Sequence, residues 1–357
     1  MSKHTYHILG VMSGTSLDGI DLAEVFFTFE NGRWTYAFGV SATLPYSNNW
    51  YRRLQDALHY APLELQQLNQ EYTAYLGEVI ASFIQTHGLQ ALDAVCSHGH
   101  TILHQPQNGY TLQIGNLPEI ASYCQQTVVC DFRVQDVERG GQGAPLVPIG
   151  DRMLFSEYTY CLNLGGFSNV SFEHHQRRIA FDISPVNTVL NHYAAQLGMA
   201  YDAGGEHAAE GTLLPELWKA LNDLEYYAQP FPKSLGVEFV REKVLPLMHR
   251  YNPSPIDALR TFTEHIAYQT AQALPIAQGR LLITGGGAYN HFLRQRMQAY
   301  LPEMTLIVPD NTTLEFKEAL IFGLLGVLRL REEINVLSSV TGAHEDHCSG
   351  KVYPWKG

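Results

Sequence analysis

Three glycine-bearing turns each follow directly on an apolar, strand-like run. Ser13-Gly14-Thr15-Ser16-Leu17-Asp18-Gly19 comes after residues 8–12, Gly165-Gly166 after residues 158–164, and Gly285-Gly286-Gly287 after residues 281–283. Such turns suit one kind of chemistry. A phosphate is held by several converging backbone N–H groups, and glycine lets the main chain come close to it. The hydroxyls of Ser13, Thr15 and Ser16 add donors. A single glycine turn usually does no more than reverse the chain. Three at equivalent places point to a phosphate-bearing ligand. Neither GxxxxGK[ST] nor GxGxxG occurs, so the grip is not that of a P-loop or a dinucleotide fingerprint.

Several side chains could act on such a ligand. Asp18, inside the first turn, offers Mg²⁺ an oxygen ligand; its other reading is a turn aspartate bonding its own backbone. Asp182 follows Ile179-Ala180-Phe181 and precedes Ile183-Ser184-Pro185. A carboxylate at a strand end beside a proline is half-buried and held still, which suits a general base. It could equally cap a helix over residues 187–196. Asp131, Arg133 and Asp136 follow an apolar run at 127–130. Arg133 could fork onto a ligand carboxylate or form an internal salt bridge with either aspartate. His98, His100 and His104 lack an acidic or cysteine partner at ligand spacing, so hydrogen bonding is preferred to metal binding.

The elements that must position these residues are readable from periodicity. Residues 8–12 and 20–29 form a hairpin around the first turn. Leu65, Leu68, Tyr72, Leu76, Val79 and Phe83 mark one face of a helix, which Gly88 ends. Residues 92–96 read as a strand, with His98-Gly99-His100-Thr101 as the loop after it. Gly140-Gly141-Gln142-Gly143-Ala144-Pro145 reads as a hinge or site loop near a lobe boundary. Strands at 158–164 and 167–172 flank the second turn. Strand, polar turn, strand thus occurs twice, which suggests two lobes on a related plan. Helices are expected at 290–299 and 315–330, with a tail from Ser338 that packs loosely or caps a lobe.

Composition sets the outer bounds. With 357 residues, the chain suits two lobes rather than one small core. Hydrophobic residues make up 45% and charged ones 16%, as in a globular enzyme. The net charge of −12 argues against a nucleic-acid partner. No apolar run is long enough for a membrane span, so no membrane partner is expected. Five scattered cysteines without CxxC spacing suggest reduced thiols and a cytoplasmic protein.

At this point the residues resemble a known family, the anhydro-N-acetylmuramic acid kinases. The resemblance rests on the run from Gly10 to Asp21, GVMSGTSLDGID, and on GGQGAPLVP at 140–148. Ser97-His98-Gly99-His100-Thr101, Gln113-Ile114-Gly115-Asn116 and Asp131-Phe132-Arg133 add to it, as do Asn163-Leu164-Gly165-Gly166-Phe167-Ser168-Asn169, Gly285-Gly286-Gly287-Ala288-Tyr289-Asn290, Glu318-Ala319 and Val340-Thr341-Gly342-Ala343. Further downstream, Tyr201-Asp202, Gly205, Gly211 and Pro232-Lys233-Ser234 fit too.

The resemblance implies an α/β, two-lobed actin-like ATPase (ribonuclease H-like) fold with an ATP and sugar cleft between the lobes. The N-terminal lobe would be residues 1–135, with the tail 335–357 packed on it, and the C-terminal lobe residues 136–334. It implies ATP and Mg²⁺ as cofactors, Asn169 and Asn290 beside the glycine turns, and Asp182 as the base. His98, Thr101, Asp131, Arg133 and Glu318 would meet the sugar. The reaction implied is phosphorylation of the 6-oxygen of 1,6-anhydro-N-acetylmuramic acid while water opens the bridge, a step of cell-wall recycling. Members are often homodimers. Two departures stand out: FDISPVN at 181–187 replaces the usual FDTGPGN, and His100 stands where glutamine is usual. The rival expectations are a relative acting on another sugar, an actin-like ATP switch, and a metal hydrolase built on the histidines.

Overall fold

The computed structural model describes residues 4–357. The chain divides into two compact units. One comprises the chain up to Leu154 together with Phe316–Gly357, and the other is Phe155–Glu315.

The first unit holds a seven-stranded sheet. Its strands are β1 (Thr5–Ser13), β2 (Ile20–Glu30), β3 (Arg33–Leu44), β4 (Ala94–Gln105), β5 (Tyr110–Ile114), β6 (Val128–Cys130) and, from the tail, β12 (Lys351–Tyr353). The order is β12-β6-β4-β1-β2-β3, with β5 paired to β4. The hairpin pairs are antiparallel, and β1, β4 and β6 run parallel. A central parallel strand is covered on both faces, so it reads as a continuous apolar run; Ile8, Leu9 and Val11 are all buried. One face is covered by the helix Pro62–His87 through Leu65, Leu68, Tyr72, Leu76, Ile80 and Phe83. That helix ends at Gly88 in the left-handed conformation, as the sequence indicates. On β1, a Cβ at Gly10 would lie 2.1 Å from the carbonyl oxygen of Ala319. Only glycine permits the helix Asn311–Leu330 to lie that close to the strand.

The second unit repeats the plan. Its sheet contains β7 (Tyr160–Leu164), β8 (Phe167–His174), β9 (Arg177–Pro185), β10 (Gly279–Thr284) and β11 (Met304–Ile307), in the order β11-β10-β7-β8-β9. Again an antiparallel meander of three strands is extended by parallel crossovers. Two sheets of this order are the duplicated ribonuclease H-like arrangement that the sequence led us to expect. The apolar core gathers on the helix Pro255–Ala273, where Ala258, Leu259, Phe262, Ile266 and Ala267 are buried.

Three expectations need correction. His98–Thr101 is not a loop but the middle of β4, because β5 folds back and pairs with it, His100 opposite Ile114 and Thr101 opposite Gln113. The division falls at Leu154/Phe155 and Glu315/Phe316, not at 135/136 and 334/335. Residues 136–154 and 316–334 are stitched into the first unit: Lys317 pairs with Asp151 at 2.7 Å, and a Cβ on Gly150 would meet Ile321 at 2.6 Å. The glycine loop 140–145 therefore lies within that unit, away from its boundary. It wraps the buried Asp136, whose carboxylate accepts from Gly143 N (2.6 Å) and Thr341 Oγ1 (2.8 Å). Of the two readings of the tail, the structure has the second: it packs on the first unit, where β12 pairs with β6 and Ser349 Oγ donates to Phe132 O at 2.6 Å.

His265, in the helix Pro255–Ala273, is wholly buried between Asn222 Oδ1 (2.7 Å) and Tyr227 OH (2.8 Å). Burial lowers its pKa to about 3. An unfolded histidine takes a proton near pH ~6.5, whereas this one stays neutral. Folding stability should therefore fall as pH drops from about 6.5 toward 3, by up to ~1.4 kcal/mol per pH unit for this residue. Urea unfolding across that range should show a shallower fall in His265→Gln than in the wild type. An identical slope would contradict the assignment.

Candidate active site

Strand register in the second unit lines up four polar residues. Thr284 on β10 pairs with Asn163 on β7, Asn163 with Asn169 on β8, and Asn169 with Asp182 on β9. Directly paired residues share one face of a sheet. The row lies immediately before the turns Gly165-Gly166 and Gly285-Gly287. Asn163 joins the two turns: a Cβ on Gly285, whose φ is +80°, would fall 2.6 Å from Asn163 Oδ1 and 2.8 Å from Leu164 O. At Gly286 the nearest atom is 3.9 Å away, so the turn has room on that side. The Gly165 and Gly166 carbonyls accept from the N–H groups of Asn187 and of Val186 and Thr188. Gly166 N itself has no partner among the described residues. Asn290 is the N-cap of the helix His291–Tyr300, accepting from Leu293 N at 2.9 Å.

Asp182 is gripped from three sides. Its N–H donates to Lys233 O (3.0 Å), its carbonyl accepts from the Tyr226 hydroxyl (2.6 Å), and its Oδ2 accepts from Leu235 N (2.8 Å). The second carboxylate oxygen has no partner among the described residues. Burial raises the pKa of this carboxyl and the Leu235 bond opposes the rise; the net shift is upward. Asp182 caps no helix. It lies inside β9, and Val186 holds the N-cap place of Asn187–Ala195. The altered residues around it turn inward. Ile183 and Val186 belong to the apolar core, and Ser184 is fully buried with its hydroxyl 3.1 Å from Ser168 Oγ.

In the first unit, β1 ends at Ser13 and the turn begins. The N–H groups of Thr15 and Ser16 have no partner among the described residues, while Leu17 N closes the turn onto Gly14 O at 3.2 Å. Thr15, Ser16 and Asp18 are exposed, and Asp18 makes no hydrogen bond or ion pair among the described residues. Gly19 packs against Leu44, where a Cβ would come 2.5 Å from the carbonyl oxygen. Ser13 is different. It is buried, and its hydroxyl joins Tyr46 OH (2.6 Å) and His100 Nδ1 (2.8 Å), with Tyr72 OH 2.5 Å beyond Tyr46. Its side chain is thus engaged inside the protein.

Arg133 donates from Nε to His98 Nε2 (2.8 Å) and from Nη1 to Gly143 O (2.7 Å). Burial lowers its pKa to about 10, and the carboxylates of Glu318 and Asp136 act against that. Glu318 is open to solvent at its surface yet densely surrounded. Those surroundings raise its carboxyl, Arg133 opposes them, and Asp21 adds to the rise. Asp131 does not join Arg133; it pairs with Lys351 of β12 at 2.7 Å. Thr101 Oγ1 accepts from Gln113 Nε2 at 3.4 Å. The three histidines go separate ways, His98 to Arg133, His100 to Ser13 and His104 to Thr111 Oγ1 (3.1 Å). Among the described residues no group of three or more His, Cys, Asp or Glu could hold a metal ion. No helix is long and apolar enough to cross a membrane, again among those residues.

A profile of the family described as anhydro-N-acetylmuramic acid kinase matches residues 6–355. The chain belongs to that family. Proteins of the same name resemble it throughout: that of Actinobacillus pleuropneumoniae serotype 5b is 35% identical, covering 99% of this chain and 100% of its own length. That of Hydrogenovibrio crunogenus is 33% identical, with 97% of each covered. Among solved structures, component A of (R)-2-hydroxyglutaryl-CoA dehydratase from Acidaminococcus fermentans is 11% identical with a TM-score of 0.45, covering 90% of this chain and 97% of that one. Family membership makes the protein a phosphotransferase, with ATP as phosphoryl donor.

Asn163 and Leu235 were not singled out as site residues from the sequence. NLGG at 163–166 held a signal for the first; the second acts through its backbone N–H and leaves none. Gly285→Ala should destabilise the fold by about 1–3 kcal/mol, because its φ is positive and its neighbours are close. Gly286→Ala should stay within about 1 kcal/mol. Chemical unfolding of both variants checks this, and equal losses would refute it.

Proposed function

We propose that the protein transfers the γ-phosphoryl group of ATP to the 6-oxygen of 1,6-anhydro-N-acetylmuramic acid while water adds at the anomeric carbon. Asp182 takes a proton from that water. The oxygen attacks C1, the C1–O6 bond breaks, and O6 accepts the phosphoryl group. The products are N-acetylmuramic acid 6-phosphate and ADP. The observation that carries this reading is the state of Asp182: a firmly held carboxyl, raised by burial, with one oxygen bonded to Leu235 N–H and the other without a partner. That is the condition of a general base.

The unpaired N–H groups of Thr15, Ser16 and Gly166 are assigned to phosphate oxygens, with Gly14 in the same turn and Asn169 and Gly285–Gly287 on the nucleotide. Asp18, exposed and without a partner among the described residues, fits a hard cation that keeps most of its waters. With a phosphate it would hold Mg²⁺, which supplies charge neutralisation when bound. Arg133 is assigned to the lactyl carboxylate and Glu318 to the sugar hydroxyls. Ile183 and Val186 belong to the apolar core and Ser184 is buried with its hydroxyl on Ser168, so the FDISPVN departure adds no exposed side chain beside Asp182. That favours the family's substrate over another sugar. The cytoplasm, where ATP is available, is the proposed location.

Asp182→Asn should reduce turnover by about 10²–10⁴-fold while leaving ATP affinity within about twofold. Retained turnover would exclude it as the base. Arg133→Ala should raise KM for the anhydro-sugar by ten-fold or more, on the order expected for a lost charge-assisted bond. KM for ATP should change little, and the reverse pattern would move Arg133 to the nucleotide.

A further inference from the structure

His98 is buried in β4, its ring 4.6 Å from that of Phe322. Both ring nitrogens are engaged inside the protein. Nδ1 lies 2.9 Å from Gly99 O, and a carbonyl can only accept, so Nδ1 carries the hydrogen. Nε2 lies 2.8 Å from Arg133 Nε, and a guanidinium can only donate, so Nε2 is bare. Two partners of fixed sense thus select one neutral tautomer.

We infer that His98 does not touch the substrate but is a positioning residue that holds the Arg133 guanidinium in register for a carboxylate. The Nε2 lone pair fixes Arg133 at Nε, and Gly143 O fixes it at Nη1. What remains is the far edge of the guanidinium: both hydrogens of Nη2 and the second of Nη1. That edge is the fork that receives a carboxylate in two parallel bonds. The clamp also opposes a competing attraction. Glu318 and Asp136 both pull on the guanidinium, and an unclamped Arg133 would turn its fork toward a carboxylate of its own chain. The charged and titratable groups facing His98 and Arg133 are His100, His104, Glu318 and Asp136. Burial and Arg133 itself both keep the His98 ring neutral, as an acceptor must be. This inference rests on the assignment of Arg133 to the substrate carboxylate.

Two measurements test it, and only one depends on that assignment. Ring ¹⁵N spectra of the wild-type protein at pH 7, without substrate, should show His98 protonated at Nδ1 and bare at Nε2, with the Nε2 resonance moving in Arg133→Ala. An Nε2–H tautomer or a doubly protonated ring would overturn the clamp. Kinetics supply the second arm, with 1,6-anhydro-N-acetylmuramic acid and its analogue lacking the lactyl group, 1,6-anhydro-N-acetylglucosamine. His98→Phe should raise KM for the carboxylated sugar about tenfold or more, as for one lost charge-assisted bond. It should change KM for the analogue and for ATP by less than about threefold. His98→Gln, whose Oε1 can stand where Nε2 stood, should restore most of the loss. An equal rise for both sugars would make His98 a direct contact and refute the inference. Failure of the wild type to use either sugar would refute the proposed activity, while the ¹⁵N spectra would still report on the clamp.

Discussion

A carboxylate cannot be buried without something to bond to, and Asp182 meets that constraint by half. One oxygen takes the N–H of Leu235; the other is left unpaired. Two bonds to the acid would have stabilised its charge and lowered its pKa, and none would have left it disordered. The rest of the second unit serves this balance. The segment carrying Lys233 and Leu235 covers the edge of β9, which would otherwise be open. Lys233 in turn donates to Tyr226 O at 3.1 Å and lies over its ring, while the Tyr226 hydroxyl secures the Asp182 carbonyl. A short strap therefore fixes both the backbone and the side chain of the acid.

The first unit applies the same logic to a cation. Arg133 is held at two of its nitrogens by neutral acceptors, His98 and Gly143 O, rather than by a carboxylate. A carboxylate there would have satisfied the guanidinium and closed it to a ligand. The aspartates nearby have other partners, Asp131 with Lys351 and Asp136 with Thr341 and Gly143. The glycine loop 140–145, which the sequence offers as a hinge or a site loop, brings the Gly143 carbonyl to Arg133.

What was legible in the sequence was local. Apolar runs before glycine turns gave β1, β7 and β10, and the step of Leu65, Leu68, Tyr72 and Leu76 gave the long helix, because strand and helix periodicities depend on neighbours in the chain. Arg133 and Asp182 stood out by type and place. Partners from distant segments did not. Lys351 reaches Asp131 only because β12 pairs with β6, and the row Thr284–Asn163–Asn169–Asp182 exists only once register is set. His98 and Thr101 were misread as a loop because Gly99 interrupts the apolar run, whereas pairing with β5 decides the conformation. The FDISPVN departure is visible in the sequence, but the place of Ile183 and Val186 in the apolar core is not, because it depends on what packs against β9.

The most direct test of this account is a crystal structure of the wild-type protein with a non-hydrolysable ATP analogue and 1,6-anhydro-N-acetylmuramic acid. It should show an ordered water bonded to the Asp182 oxygen that Leu235 leaves unpaired, within reach of the anomeric carbon of the sugar. A carboxyl bonded to neither water nor sugar, with Leu235 N–H still on its other oxygen, would contradict it.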